Sequence, residues 1–376
     1  MKKKAVMLLM MAAFCSTVFF GCNKEEPQVA STEEPVIKME ESAPEEPKEE
    51  EPEEEPAAEE EEEVREGYYR SELTNEWIEE GLKNQRPIAA MVDNESTALP
   101  HFGVNDCDIV YEMTNSHANG GITRLMCIIK DWGKIQQLGS IRSVRPTNLQ
   151  LAPEYGAVVC HDGGPFYIDI FLKNDFVKHF SGTFSRVDNG KSREFTEYIL
   201  SGDLEKNFKN SGISTEYDSY YQGGSHFNFA SEKNPVDLSD ASDSKTAESI
   251  ALPFEHNKSK LTYDADSDKY LYSEYGSAHV DGKTGEQTSF KNVFLLSAEM
   301  QVFDKNGYMM FITSPVSNRE GYYCTGGKAI PITWSNADDI SYTKYYTKDG
   351  NELKINTGHS YIAIIPEDDY PDLSIE

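Results

Sequence analysis

The sequence predicts an exported two-domain protein. An α+β or α/β N-terminal domain with a mixed sheet is expected over residues 67–232, and a β-rich C-terminal domain over 251–366. Three observations carry this. The first 66 residues are a basic, apolar leader followed by a Glu/Pro tract, neither of which can build a core. Strand-like and helix-like apolar patterns then alternate at intervals of 10–20 residues, as they do when both elements share a domain. Past residue 250 only short strands and turn signals follow.

The leader begins with Lys2, Lys3 and Lys4, and residues 5–21 are an uncharged, mostly apolar run of 17 residues. That length is short for a bilayer span and ordinary for an export signal. The run closes on Phe19-Phe20-Gly21-Cys22. A small residue followed by Cys after an apolar core resembles a bacterial lipoprotein signal. Residues 1–21 would then be removed, and a lipid on Cys22 would hold the chain to the membrane. Phe19 stands where Leu is usual. The other reading is an uncleaved N-terminal anchor in which Cys22 is incidental. Either one places the remaining chain outside the cytoplasmic membrane.

Residues 23–66 contain 20 Glu, six Pro and no aromatic residue. Self-repulsion and Pro stiffness favour an extended tether, which in polyproline II form would reach up to roughly 130 Å. The whole chain has 35 Lys+Arg against 65 Asp+Glu, a net charge of −30. The tract accounts for −16 of it, so the 310 residues that follow carry only −17. This balance argues against nonspecific nucleic-acid binding, which needs clustered Lys and Arg, and against wide contact with anionic lipid.

In the first domain, residues 88–92 (Ile-Ala-Ala-Met-Val), 109–113, 124–130 and 157–160 read as strands. Residues 147–152 read as a short helix stopped by Pro153. A helix from Pro165 to about residue 174 is expected, with Pro in its first turn. Another is expected over 195–210, from the spacing of Phe195, Ile199, Leu200, Leu204 and Phe208. Residues 233–250, rich in Ser, Asp, Lys and Asn, read as a linker. Strands are expected at 261–263, 269–272, 292–296, 308–313 and 361–365, with Asp281-Gly282 and Asp349-Gly350 as turns. Residues 367–376 read as an acidic tail.

Several short motifs occur in order: Arg86-Pro87-Ile88-Ala89, Asp108-Ile109-Val110-Tyr111-Glu112, Gly120-Gly121-Ile122-Thr123-Arg124, residues 139–146 (Gly-Ser-Ile-Arg-Ser-Val-Arg-Pro) and His161-Asp162-Gly163-Gly164. Together they resemble the YerB-like lipoproteins, a two-domain family of unknown function. The resemblance covers roughly residues 85–365 and the leader, and implies an exported, tethered protein with no assigned reaction. A Gly-Lys-Thr-Trp-like family segment is represented by Gly358-His359-Ser360-Tyr361. Ser192-Arg193-Glu194-Phe195-Thr196 stands where the family has a segment resembling Arg-x-x-Pro-His-Asn.

The residues suggest one candidate ligand site. Glu112, Arg124, Arg142, Arg145 and His161 fall within 50 residues, each at a strand end or in the loop beyond. Such loops commonly converge on a crevice. Arg forks bind carboxylate or phosphate, and a His beside a carboxylate moves protons near neutral pH. Three readings follow: a structural ion-pair network, a site for an anionic wall component, or a hydrolase or transferase centre. Scaffolding for another envelope protein is a further role open to such a domain pair.

Other motifs carry less. Residues 264–268 (Asp-Ala-Asp-Ser-Asp) begin like a calcium loop, but Lys269 replaces the needed Gly and Tyr275 the bidentate Glu, so a hairpin turn is expected. Cys107, Cys127, Cys160 and Cys324 lack metal spacing and are read as buried thiols or disulfide partners. Tyr217, Tyr220, Tyr221 and Phe227 suggest an aromatic-lined loop or a sugar platform. No cofactor or metal motif is present.

Overall fold

The computed structural model describes residues 64–116, 120–302 and 309–376. The leader, Cys22 and the tether up to residue 63 lie outside the described residues. No helix among the described residues is long and apolar enough to cross a membrane.

The strands expected around residues 88, 109, 124 and 157 form as Ile88–Asp93, Ile109–Ser116, Ile122–Ile129 and Val158–His161. They join an eleven-stranded mixed sheet that does not stop at the boundary between the two expected domains. Ser360–Pro366, near the C-terminus, lies parallel to Ile109–Ser116 on one side and to Asn292–Ala298 on the other. The antiparallel strands Val316–Thr325 and Lys328–Asn336 extend the sheet beyond Asn292–Ala298. At the opposite edge, Ile88–Asp93, Val158–His161 and Lys178–Ser181 run parallel.

Both faces of the central strands are buried, which explains their near-continuous apolar runs. Alternate residues go to opposite cores. Ala90, Val92, Val110, Leu125 and Cys127 face one. Ala89, Met91, Tyr111, Met113 and Met126 face the other. The first core is closed by a six-stranded sheet that includes Lys260–Asp264 and Lys269–Glu274. These two strands form the hairpin expected there, and its turn is held by the Asp264 carboxylate accepting from Ser267 N at 3.0 Å.

The chain is mostly β; the helix expected at 147–152 forms, and the other two helical expectations change. Among the described residues, α-helix is found only at Pro146–Leu151 and Asp203–Ser211. The apolar spacing from Phe195 instead serves a strand, Glu197–Leu200, paired with Gln137–Gly139. Gly202 then turns left-handed at φ 86°, which interrupts any helix through it. Phe166–Lys173 is 3-10, with Pro165 preceding it. The helical layers of an α/β domain are therefore not formed here.

The expected linker and tail are also built in. Lys245–Thr246 pairs with the edge of the large sheet, Ser249–Ala251 belongs to the six-stranded one, and Ala247 is buried between them. Ser374–Ile375 pairs with Ser249–Ala251, and the Tyr370 hydroxyl donates to Leu295 O at 3.1 Å. Cys107, Cys127, Cys160 and Cys324 are buried free thiols. The Tyr217 loop packs inward, with the Tyr217 and Tyr221 rings stacked at 3.6 Å.

Candidate functional site

The motif at residues 139–146 crosses the C-terminal ends of two parallel strands. Asp93 N donates to Ser140 O at 2.9 Å, and Arg142 N donates to Met91 O at 2.8 Å. Asp162 N then donates to Arg142 O at 3.0 Å, and Val144 N donates to Gly163 O at 3.1 Å. The crossing is close enough to require Gly139. Its φ is 135°, and a Cβ there would meet Ile141 N at 2.9 Å. The segment thus delivers Arg142 and Arg145 to the rim where Asp93 and His161 end their strands.

Asp93 organises this rim. It is the register partner of Arg124 on the neighbouring antiparallel strand, and their side chains pair at 3.4 Å. Its second oxygen lies 2.7 Å from Arg142 Nε. Arg124 also donates to Ser143 O at 2.9 Å. The other end of Arg142 reaches Glu194 Oε2 at 3.0 Å, with the Arg142 side chain 25% exposed and that of Glu194 50%. Arg145 occupies the N-cap position of the short helix, and its guanidinium donates to Val144 O at 3.0 Å. Beside them Arg186 bridges Asp162 at 2.8 Å and buried Glu197 at 2.5 Å. Burial and the neighbouring Asp162 push the Glu197 carboxyl up to about 7.

His161 belongs to the rim but is only 1% exposed. Its Nδ1–H donates to Gly163 O at 2.7 Å, so Nε2 accepts from His179 Nδ1 at 3.1 Å. Burial lowers its pKa to about 4, which keeps the ring neutral in this chain of imidazoles.

Glu112 does not join this group. It points to the opposite face of the sheet, because it alternates with Met113, the register partner of Arg124. There it is 0% exposed and accepts from Thr123 at 2.7 Å, Ser259 at 2.6 Å, Tyr272 at 2.9 Å and Tyr361 at 2.5 Å. Burial raises its pKa against the pull of these hydroxyls. The carboxylate ties three strands of the large sheet to the smaller one. Glu112 and His161, the residues expected for a hydrolytic or transfer centre, are both closed off by protein.

Of the five residues expected together, the fold therefore gathers Arg124, Arg142, Arg145 and His161 and removes Glu112. The sequence reasoning missed Asp93, Arg186, Glu194, Glu197 and His179. Asp93 left a signal, as a charged residue closing a fully apolar strand. Arg186 and Glu197 face each other across a short strand pair, and His179 lies on a strand parallel to Val158–His161, pairings that no motif marked.

Next to the rim, the exposed turn at Gly163 and Gly164 leads into Phe166 and Ile170, which are 82% and 68% exposed. The rim thus borders an apolar patch, a combination of Arg and aromatic surface typical of binding sites.

Comparison with known proteins defines the class. Residues 73–214 match the model described as "Protein of unknown function (DUF3048) N-terminal domain", and residues 250–362 match the corresponding C-terminal domain. The chain belongs to this YerB-like two-domain family. "Putative lipoprotein YerB" of Bacillus subtilis (strain 168) is 25% identical over 312 residues, covering 81% of this chain and 88% of that protein. The crystal structure of the YerB protein from Bacillus subtilis shares the fold. It aligns with a TM-score of 0.67 at 20% identity, over 82% of this chain and 99% of that one.

Proposed function

We propose that this protein is an extracytoplasmic lipoprotein, anchored through Cys22, whose folded part binds an anionic component of the cell envelope at the arginine rim. One observation carries the binding reading. Arg142 is held at Nε by buried Asp93, while its Nη2 pairs with half-exposed Glu194. An exposed ion pair of this kind contributes at most about 1 kcal/mol. A ligand carboxylate or phosphate therefore replaces Glu194 at little cost, on a fork already oriented from behind.

The test is a calorimetric or NMR titration with inorganic phosphate and with soluble wall fragments bearing free carboxylates. Glu194→Ala removes the competing carboxylate and is expected to tighten binding about fivefold, the equivalent of about 1 kcal/mol. Arg142→Ala is expected to weaken it at least about tenfold, the loss of a charge-assisted contact. Equal affinities for the three chains would refute the site.

The anchor rests on the basic start, the apolar run and Gly21-Cys22, together with the relative described as a lipoprotein. Cys22→Ser is expected to leave unprocessed precursor or to release the protein from the membrane fraction. A variant that partitions and migrates like the natural chain would contradict lipidation.

A further inference from the structure

We propose that His101, Glu274 and His279 bind one divalent transition-metal ion of the zinc class, which pins the two family domains together. One ligand atom from each side chain lies within 4.8 Å of the others, and all three residues are buried. His101 Nδ1 is 2.8 Å from His279 Nε2, and His279 Nε2 is 3.7 Å from Glu274 Oε1. His101 comes from the segment matched by the N-terminal family model, and Glu274 and His279 from the segment matched by the C-terminal one.

The surrounding hydrogen bonds prepare a ligand set. Thr288 Oγ1 donates its single proton to Asn105 Oδ1 at 2.6 Å. It must therefore accept from His279 Nδ1, 2.9 Å away. That fixes the tautomer of His279 and leaves a lone pair on Nε2, which without an ion accepts from His101 Nδ1–H; an ion replaces that proton, which moves to His101 Nε2, a nitrogen with no hydrogen-bond partner. An outer partner that orients a ligating imidazole in this way is a regular feature of metal sites. Glu274 Oε2 accepts from Asn257 at 3.4 Å, while its Oε1 has no hydrogen-bond partner. A buried carboxylate oxygen without a donor, facing an imidazole lone pair, is what a cation would satisfy.

Two imidazoles and a carboxylate suit zinc or a similar ion, and three such ligands leave one tetrahedral corner for a water molecule. Metal–nitrogen bonds of about 2.0–2.1 Å require the two nitrogens to part to about 3.3 Å, a shift of roughly half an ångström. The ligands are buried and come from both family segments, so the bound ion stabilises the folded chain.

The full mature chain, stripped with chelator, is equilibrated with Zn²⁺ in a nitrilotriacetate buffer that outcompetes the weak carboxylates of the Glu tract. Elemental analysis is expected to find one zinc per chain, with a higher Tm than the stripped protein, since an ion that binds only the folded state stabilises it. Co²⁺ in its place is expected to give visible d–d absorption of tetrahedral intensity. Glu274→Gln and His279→Gln are expected to fall below one-tenth of an ion per chain, while His161→Gln keeps its ion. Near-UV circular dichroism checks that the variants fold; if they do not, the Co²⁺ spectrum of the unaltered chain decides. A chain that holds no zinc in this buffer, lacks the Co²⁺ bands, or keeps its ion in folded Gln variants overturns the site.

Discussion

Glu112→Ala is expected to destabilise the fold by about 3–5 kcal/mol, enough to consume much of the stability of an ordinary domain. Thr123, Ser259, Tyr272 and Tyr361 all aim a hydroxyl at this carboxylate, and Asn94 adds an amide at 3.3 Å. Removing the acceptor leaves buried donors unsatisfied, at about 1–3 kcal/mol for each that finds no new partner. Ser259 and Tyr272 belong to the chain of the smaller sheet, and Glu112, Thr123 and Tyr361 to the larger. The loss therefore loosens the contact between sheets. Tyr361→Phe deletes one donor and leaves the acceptor, so it is expected to cost only about 1–2 kcal/mol. Urea denaturation of the three chains at equal m-value measures the series. A Glu112→Ala chain within 1 kcal/mol of the natural one, on the scale of ordinary surface substitutions of about 0.5 kcal/mol, would show that the hydroxyls re-pair among themselves.

Asp93→Asn is expected to have a comparable effect, about 3 kcal/mol, for a different reason. The change keeps the shape and removes the charge that Arg124 and Arg142 share. Arg142 reaches solvent and is compensated there. Arg124 is buried and loses its paired carboxylate, and a charge left in that position is costly. The shared charge sets a second expectation. Arg124→Met in the Asp93→Asn background should recover at least about 2 kcal/mol, because removing both members of a buried pair is often near neutral. Thermal or urea unfolding of the four chains in this cycle gives the coupling. Additive losses would mean that Asp93 acts through packing and not through its charge. The comparison also bears on the rim, since Asp93 is what orients Arg142 for an anion.

The strands were legible because their burial is two-sided. Ile88 to Val92 and the residues after Arg124 are apolar without alternation, and that pattern marks a covered strand wherever it lies. The helix expected at 195–210 shows the limit, since only its second half forms, as Asp203–Ser211. Phe195, Ile199, Leu204 and Phe208 fit a helical stripe, yet Glu197–Leu200 has a partner strand in Gln137–Gly139. Local spacing cannot register a partner some sixty residues away.

The candidate site was legible to the same degree. Arg124, Arg142, Arg145 and His161 were recognisable as strand-end residues, and adjoining strand ends do meet. Glu112 was misplaced because its position in sequence gives no face. One residue of alternation carries it to the other side of the sheet from Arg124.

By itself, then, the sequence determined the basic and apolar leader, the Glu/Pro tract, the central strands and the motifs that define the family. These follow from local composition, which acts over a few residues. Tertiary structure alone decided that both halves share one sheet, with Ser360–Pro366 laid against Ile109–Ser116. It also decided that Asp93 is the hub of the arginine rim, that Glu112 joins the two sheets, and that the last residues close an edge. Each of these depends on which distant strands pair and in what register. That choice is made by burial summed over the whole core, a quantity no short stretch of sequence contains.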